Sequence, residues 1–201
     1  MNYIYLALFW TAWGFLHSFL ISQKVTDSLK NIFKENYKFY RLFYNAISLL
    51  TFLAIARYEK TLQKVIIYEW QGSWMLLRIL LLVSALVFFY LGAKNYDMKT
   101  FLGINQVRKN QGIFGLGTTE KLVINGVLKW IRHPWYLATI LILWSYFSTC
   151  YISTLISSLI LSIYTIVGML LEEQKLLKQF GEEYKKYRKT VPALFPWKNT
   201  E

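Results

Sequence analysis

The sequence has few of the residues that build disulfides, metal centres and phosphate loops. A single cysteine among 201 residues cannot form an intrachain disulfide, and only two histidines are present, which disfavours a histidine-based metal site. A glycine-rich phosphate loop ending in lysine is absent, which argues against ATP binding. Charged residues make up only 17% of the chain, below the roughly 25% of soluble proteins.

Acidic residues are scarce relative to basic ones. The chain has 11 Asp and Glu against 23 Lys and Arg, a formal net charge of +12. Nucleic acid, anionic lipid or an anionic small ligand could each balance this charge. The basic residues lie in the gaps between apolar runs, which favours lipid headgroups and membrane orientation. We therefore expect a lipid bilayer as partner and no nucleic acid, and the oligomeric state stays open.

Apolar residues, 55% of the chain, are clustered into long runs. A spanning helix needs about 20 of them. Residues 3–21, 39–56 and 74–93 each meet that length, and no signal-peptide cleavage pattern follows the first run. Residues 135–171 are too long for one span and predict two, with a turn at 148–153. The sequence thus predicts an all-α polytopic integral membrane protein with about five transmembrane helices, the last two forming a hairpin.

The distribution of lysine and arginine predicts how the chain is oriented. Basic residues are concentrated after the first span, in the long loop after the third, and in the tail after residue 173. This pattern predicts an outside N-terminus and a cytoplasmic C-terminus, in the inner or plasma membrane of a prokaryote or the endoplasmic reticulum of a eukaryote. We treat residues 1–201 as one membrane domain, with a three-helix part (1–93) and a cofactor-binding part (94–201).

The tail has the pattern of an amphipathic interfacial helix. Its apolar residues recur at helical spacing with lysines between them: Leu176, Leu177, Phe180, Tyr184 and Tyr187. Pro192 and Pro196 are expected to end this helix.

A few polar side chains fall inside the predicted spans. His17 lies late in the first, and Arg41, Asn45 and Ser48 share one face of the second. For His17, a structural hydrogen bond between helices is the simpler interpretation. For Arg41 and Asn45, two interpretations stay open: anchoring to headgroups and neighbouring helices, or lining a pocket.

Two further clusters stand at the cytoplasmic ends of the last hairpin. The first is Arg132-His133-Pro134-Trp135-Tyr136, where Pro134 suits the first helical position. The free N–H groups of that turn could favour an anion, and an interfacial aromatic anchor is the alternative. The second cluster is the pair Glu172-Glu173, whose cationic partner could be a nearby lysine or a bound ligand. A hairpin would bring both clusters together into a site that suits S-adenosylmethionine.

These motifs resemble those of the membrane methyltransferase superfamily, which holds isoprenylcysteine carboxyl methyltransferases and phospholipid N-methyltransferases. The resemblance covers about residues 121–197 and rests on the two clusters with Phe180-Gly181-Glu182-Glu183-Tyr184, Tyr187, Val191-Pro192 and Pro196. The first half is similar to the methanethiol S-methyltransferase and NnrU-like branch. The residues matched there are His17-Ser18, Tyr40-Arg41, Asn45, Asp97, Phe101-Leu102-Gly103 and Gln106.

The resemblance implies a cytoplasmic site for S-adenosylmethionine, with S-adenosylhomocysteine as product. The implied cofactor contacts are His133, Pro134, Trp135, Tyr136 and Glu172. The residues implied around the adenosine are Glu120, Lys121, Leu122, Val123 and Leu128. Gln111 or Gln106 is a further candidate contact. Candidate catalytic residues, which would orient the acceptor, are Arg132, His133 and Arg41. Candidates for binding the acceptor are His17, Asn45 and Gln106.

The acceptor could be a small thiol, an isoprenylcysteine carboxylate or a lipid. Isoprenylcysteine enzymes place an arginine four residues before the cofactor glutamate, where this chain has Gly168, which weakens that assignment. The alternative function is a non-catalytic membrane regulator or assembly factor that binds a lipid, a quinone or haem. A transporter is less favoured, because no apolar segment is broken.

Overall fold

The computed structural model of the protein describes residues 1–108 and 122–195, which form eight α-helices, two 3-10 helices and one two-stranded ribbon. The elements in chain order are α1 (Asn2–Ile21), α2 (Gln23–Phe33), a 3-10 helix (Lys34–Phe39), α3 (Tyr40–Thr61), β1 (Ile66–Glu69), α4 (Trp74–Ala93), α5 (Met98–Leu102), α6 (Ile104–Arg108), a second 3-10 helix (Gly126–Lys129), α7 (Pro134–Ser145), β2 (Thr149–Tyr151) and α8 (Ile152–Thr190). They fall into two units, residues 1–64 with 96–108 and residues 65–95 with 122–195.

Four helical stretches of the described residues are long and apolar enough to cross a membrane: Asn2–Ile21, Gln23–Thr61, Trp74–Ala93 and Ile152–Thr190. The prediction of an all-α polytopic membrane protein is confirmed. Helix α7 is apolar but has only 12 residues, fewer than the about 20 that a span needs. The described chain therefore has four candidate spans where the sequence suggested about five, and its orientation across the membrane stays a prediction.

In the first unit, α1 and α3 pack through aromatic side chains. Trp10 is buried, and its ring centroid lies 5.0 Å from that of Phe52. Trp13 donates from its indole Nε1 to the carbonyl of Ser48 at 3.1 Å. In a medium without water an unsatisfied donor is costly, so this bond stabilises the helix pair as well as orienting the ring.

In the second unit, α7 packs between α4 and α8 through polar contacts. Arg78 of α4 donates to the carbonyls of Ser145 and Tyr146 at 2.9 and 2.8 Å, at the end of α7. Trp144 donates from Nε1 to the hydroxyl of Ser162 on α8 at 3.0 Å. Hydrogen bonds and small side chains replace the hydrophobic effect as the force that joins helices in lipid. Helices α7 and α8 therefore form the hairpin that the sequence predicted for the last two apolar helices.

The connections at one end of the second unit form a ribbon that the sequence did not predict. Strand β2 lies antiparallel to β1, with Ile66 opposite Tyr151 and Glu69 opposite Thr149. The polar stretch 148–153, predicted as a plain turn, is therefore partly a strand. The pairing satisfies backbone groups that would otherwise need water or side chains.

Helix α8 continues from its apolar half into the charged tail. Its one interruption is Gly181, whose φ of 53° and ψ of −124° are not helical. The helix ends at Thr190, before Pro192, as predicted, whereas Pro196 lies outside the described residues. We call residues 182–195, which follow the break, the C-terminal strap.

Candidate functional site

Helix α7 starts as the sequence predicted. Pro134 takes the first helical position after His133, where a missing N–H costs nothing. The backbone N–H groups of Arg132 and His133 donate to the carbonyls of Pro192 and Ala193, each at 3.0 Å. Two donors beside the predicted anion site are therefore used to bind the C-terminal strap.

Glu173 is the centre of a hydrogen-bond cluster. The residue is 6% exposed. Its Oε1 accepts from Nε of Arg132 at 2.9 Å, Nε2 of His133 at 2.7 Å and the hydroxyl of Tyr184 at 2.7 Å, and its Oε2 lies 3.0 Å from Nε of Arg188. A buried carboxylate is stable only when cations and hydrogen bonds replace its lost hydration. We call these five residues the Glu173 cluster, which joins the start of α7, the body of α8 and the strap.

Glu172 has a different environment from its neighbour. Its side chain is 36% exposed, and its Oε2 lies 3.7 Å from Nδ1 of the buried His133. Successive helical residues point about 100° apart, so the two acids meet opposite nitrogens of the His133 ring and only Glu173 is buried. Glu172 therefore presents an accessible carboxylate beside an imidazole whose other nitrogen is held by Glu173.

Tyr136 completes this face. Its ring packs edge-on against His133, with centroids 5.3 Å apart and planes at 84°. It also lies over α8, because a Cβ added to Gly168 would be 3.5 Å from Cε1 of Tyr136. The structure thus brings His133, Tyr136 and Glu172 together, as the sequence predicted, and adds Gly168 to the same face.

Trp135 faces α4 instead. Its indole Nε1 donates to the carbonyl of Phe89 at 3.0 Å. A Cβ on Gly92 would lie 2.4 Å from Cδ1 of Trp135, so only glycine permits this approach. The structure gives Trp135 a packing role, and its contact with a cofactor stays a prediction.

The residues expected around the adenosine are spread over several environments. Leu122 packs against the buried cluster of Tyr184, Tyr187 and Val191. Leu128 packs against a second cluster, formed by Val127, Ile131 and Leu137. Val123 is 43% exposed. Glu120, Lys121 and Gln111 lie outside the described residues.

A groove of about 420 Å³ runs beside the strap. It is lined by Ile124, Lys129, Glu183, Lys186, Tyr187, Thr190 and Val191. Tyr187 connects it to the predicted adenosine contacts, since its hydroxyl donates to the carbonyl of Leu128 at 2.5 Å. Its volume falls in the range of small-molecule sites, about 300–1,000 Å³, but the groove is open to solvent and not enclosed. The sequence did not identify Lys129 or Lys186 as wall residues, because they resemble plain headgroup anchors.

Arg41 and Asn45 form a second cluster, in the first unit. Arg41 is buried and donates from Nε to the carbonyl of Phe101 at 3.0 Å, with its guanidinium carbon 5.4 Å from the centre of that ring. Asn45 donates from Nδ2 to the carbonyls of Phe101 and Leu102 at 3.3 and 3.1 Å. Both side chains therefore attach residues 97–106, which we call the α5 segment, to α3. A pocket role for them stays a prediction.

Tyr44 links this cluster to His17. Its hydroxyl lies 2.7 Å from Nε2 of His17, and its ring centre is 5.6 Å from the guanidinium carbon of Arg41. The hydrogen bond between helices that the sequence suggested for His17 is present. Tyr44 itself was missed, because a tyrosine inside an apolar run gives no sign of its partner.

The α5 segment is shaped by three residues that the sequence singled out. Asp97 caps the N-terminus of α5, and hydrogen bonds from Thr100, then Lys99 and Asn105, hold the pKa of its carboxyl below the usual range. Gly103 has a φ of 92°, and a Cβ there would lie 3.0 Å from the backbone N of Leu42. Gln106 is buried and donates to the carbonyl of Thr100 at 2.9 Å. Gln106 therefore supports the segment that contacts Arg41.

Fold and sites together define an integral membrane protein of the polytopic all-α class. Within residues 1–108 and 122–195, no group of three or more His, Cys, Asp or Glu side chains could hold a metal ion. The family model described as "NnrU protein" matches residues 5–194, most of the chain. The chain therefore belongs to the NnrU family, which confirms the branch that the sequence resembled. No solved structure matches.

The chain is also similar to three methanethiol S-methyltransferases. Identity is 36% over 72 residues to methanethiol S-methyltransferase 1 of Bradyrhizobium diazoefficiens, covering 36% of this chain and 25% of the relative. It is 35% over 68 residues to the enzyme of Pseudomonas deceptionensis (34% and 26%) and 33% over 69 residues to that of Crocosphaera subtropica (34% and 27%). The match thus spans about a quarter of the length of these relatives. It places the chain among distant relatives of membrane methyltransferases.

Proposed function

We propose that the protein is an integral membrane methyltransferase that uses S-adenosylmethionine to methylate a small thiol. The observation that carries the proposal is the accessible carboxylate of Glu172 beside His133, where two sequence-distant motifs meet. The relatives, named as methanethiol S-methyltransferases, support it. Together they favour a methyl-transfer site over a set of headgroup anchors.

The residues present fit this cofactor. Glu172 offers a carboxylate that remains reachable and suits an ammonium group or ribose hydroxyls, since its neighbour Glu173 already holds its own cations. The groove along the strap is a separate feature, since Glu172, His133 and Tyr136 are not among the residues that line it. When bound, S-adenosylmethionine supplies a methyl group activated by its sulfonium and leaves as S-adenosylhomocysteine. We assign Glu172, His133 and Tyr136 to cofactor binding, with Pro134 fixing the turn that presents them.

The acceptor that the site favours is small. An isoprenylcysteine carboxylate needs a positive partner at position 168, but Gly168 has no side chain and the ring of Tyr136 covers it. A thiol needs no such partner: it releases its proton to water and attacks as the thiolate, forming the S–CH3 bond as the bond from the methyl group to the sulfonium breaks. The protein would mainly align the acceptor and exclude water. We propose Arg132 as a residue that acts through the Glu173 cluster, whereas His17, Arg41, Asn45 and Gln106, which lie in the first unit, stay sequence-based candidates for binding the acceptor.

The first experiment measures cofactor binding. Titration calorimetry of the purified chain in detergent should detect S-adenosylmethionine, and Glu172→Ala should weaken binding at least tenfold, since a charge-assisted hydrogen bond contributes about 1.5–3 kcal/mol. Glu182→Ala is the matched control, because it removes an exposed carboxylate of the same helix that pairs with Lys185 at the surface. Absent binding, or equal effects of both variants, would refute the assignment.

The second experiment measures turnover. Membranes with the protein should convert methanethiol to dimethyl sulfide, detected in the headspace, whereas a farnesylcysteine analogue and phosphatidylethanolamine should react at least tenfold more slowly. Faster reaction of either alternative would move the assignment to a prenylcysteine or lipid acceptor. Cofactor binding without turnover on any of the three would favour the alternative, a membrane regulator or assembly factor that binds a lipid, a quinone or haem.

A further inference from the structure

Helix α2 must lie at a membrane surface because of what flanks it. It begins two residues after α1 ends, and Ser22 between them has an extended ψ of 144° that breaks the helix. Helix α3 alone has 22 residues, about 33 Å at 1.5 Å per residue, which is enough to cross the about 30 Å of a hydrocarbon core. Helix α2, between the ends of α1 and α3, therefore lies outside the core, within reach of the headgroups on the side where α1 ends.

One side of this segment packs on the protein. Thr26 of α2 and Tyr37 of the following 3-10 helix are both buried. Tyr37 stacks on Tyr40 at the start of α3, with centroids 5.5 Å apart. These contacts fix how α2 is rotated about its axis.

An apolar stripe lies beside buried Thr26 on α2 and continues to the exposed C-terminal end of the helix. Val25, Leu29, Ile32 and Phe33 follow the spacing i, i+4, i+7, i+8, which places them on one helix face. Val25 and Leu29 are half-buried, but Ile32 is 69% exposed and Phe33 49%. Two large apolar side chains beside a bilayer surface indicate that lipid covers them.

Lysines surround the stripe. Lys24, Lys30 and Lys34 are exposed, and residues 22–39 hold four lysines against two acids, Asp27 and Glu35, a net charge of +2. An apolar face edged by lysines is the pattern of helices that lie in the plane of an anionic leaflet. A protein partner would not explain why the stripe sits where the chain itself meets the membrane.

We propose that α2 is an in-plane helix that inserts Ile32 and Phe33 into the interfacial region of an anionic leaflet, with its lysines on the lipid phosphates. This surface is independent of the methyltransferase site. It gives the protein a preference for anionic lipid that does not depend on any residue of the methyltransferase site.

The test uses the full chain in lipid nanodiscs. With the single cysteine removed as Cys150→Ser, a fluorescent label is attached at Ile32→Cys and, as matched control, at the adjacent exposed Asn31→Cys, about 100° round the helix. Nanodiscs contain phosphatidylcholine alone or with one third phosphatidylglycerol. Nitroxide lipids quench labels in the interface, and iodide quenches labels in water.

The expected result is that lipid nitroxides quench the label at 32 at least threefold more than the label at 31, more strongly with phosphatidylglycerol. Changing Lys24, Lys30 and Lys34 to Gln should weaken the lipid dependence by about fivefold per lysine, and changing them to Arg should preserve it. Equal iodide quenching at both positions would overturn the proposal. Protection at 32 that depends on two copies per disc, rather than on lipid, would overturn it in favour of a contact between copies.

Discussion

Nε2 of His133 lies 2.7 Å from Oε1 of Glu173, 40 residues further along the chain. The same oxygen accepts from Arg132, so one buried carboxylate positions both the residue that caps α7 and the residue before it. Glu172, the adjacent acid, is left to face outward. The two adjacent acids therefore have different roles. Glu173 holds the surrounding side chains in position, and Glu172 remains accessible for a ligand.

Glu173→Gln should destabilise the protein by about 3 kcal/mol, because it leaves the buried guanidinium of Arg132 without its counter-charge while preserving the shape of the side chain. Unfolding in detergent, followed by circular dichroism, measures this. Glu172→Gln should change stability by less than about 0.5 kcal/mol, as expected for a partly exposed group. Equal losses for the two variants would contradict the assignment of Glu173 as the structural acid.

The sequence predicted most of the membrane helices because their signal is simple. The bounds of α4 match the apolar run 74–93, and α1 begins one residue before the run 3–21. A run of about 20 apolar residues has few alternatives in lipid. The ribbon between β1 and β2 was not predictable, because it depends on pairing between segments about 80 residues apart.

The candidate site could be predicted as a set of residues but not as an arrangement. The motifs at 132–136 and 172–173 identified the right ends of the hairpin. Sequence could not say which of two adjacent acids is buried, since both read as charges at a helix end. The break at Gly181 was also hidden, because one glycine in a helical pattern is usually tolerated.

Gly181→Ala should destabilise the protein by about 1–3 kcal/mol, because its φ of 53° is in a region that side chains rarely adopt. No atom lies within 4 Å of the added Cβ, so the cost is in the backbone alone. Gly168→Ala is the control: it lies in the same helix and meets Tyr136 at an ordinary 3.5 Å, so it should stabilise by up to about 1 kcal/mol. Unfolding midpoints of both variants test the contrast, and a stabilising Gly181→Ala would refute it.

Lys34→Gly should stabilise the protein by about 1 kcal/mol. Lys34 ends α2 with a φ of 48° and a ψ of −116°, a conformation strained for any side chain. Lys30→Gly, inside the same helix and with the same loss of charge, should instead destabilise by about 1 kcal/mol. Thermal unfolding of the two variants compares them directly, and a loss at both positions would mean that the strain is absent in solution.

The contribution of Asp97 should depend on pH. Hydrogen bonds from Thr100 lower the pKa of this carboxyl in the folded chain, so its stabilising effect is complete above the unfolded value of about 3.9 and is lost as pH falls through the folded value. Asp97→Ala should therefore be less stable than the parent at pH 7, with the difference shrinking below about pH 4. Asp97→Asn, which keeps an acceptor oxygen but does not titrate, is the control. A difference that is constant with pH would contradict the prediction.

Gly92 and Trp135 should be coupled, since the indole occupies the space where a Cβ at position 92 would stand, 2.4 Å from Cδ1. Gly92→Ala should cost about 1–3 kcal/mol by overpacking, and should also strain the bond from Trp135 to the carbonyl of Phe89. In a Trp135→Leu background the same change should cost less than about 1 kcal/mol, because the smaller side chain leaves room for the methyl group. Unfolding free energies of the four proteins in this cycle measure the coupling. Additive losses would show that α4 and α7 are not in contact through this pair, and the start of α7 would then need another explanation for its position.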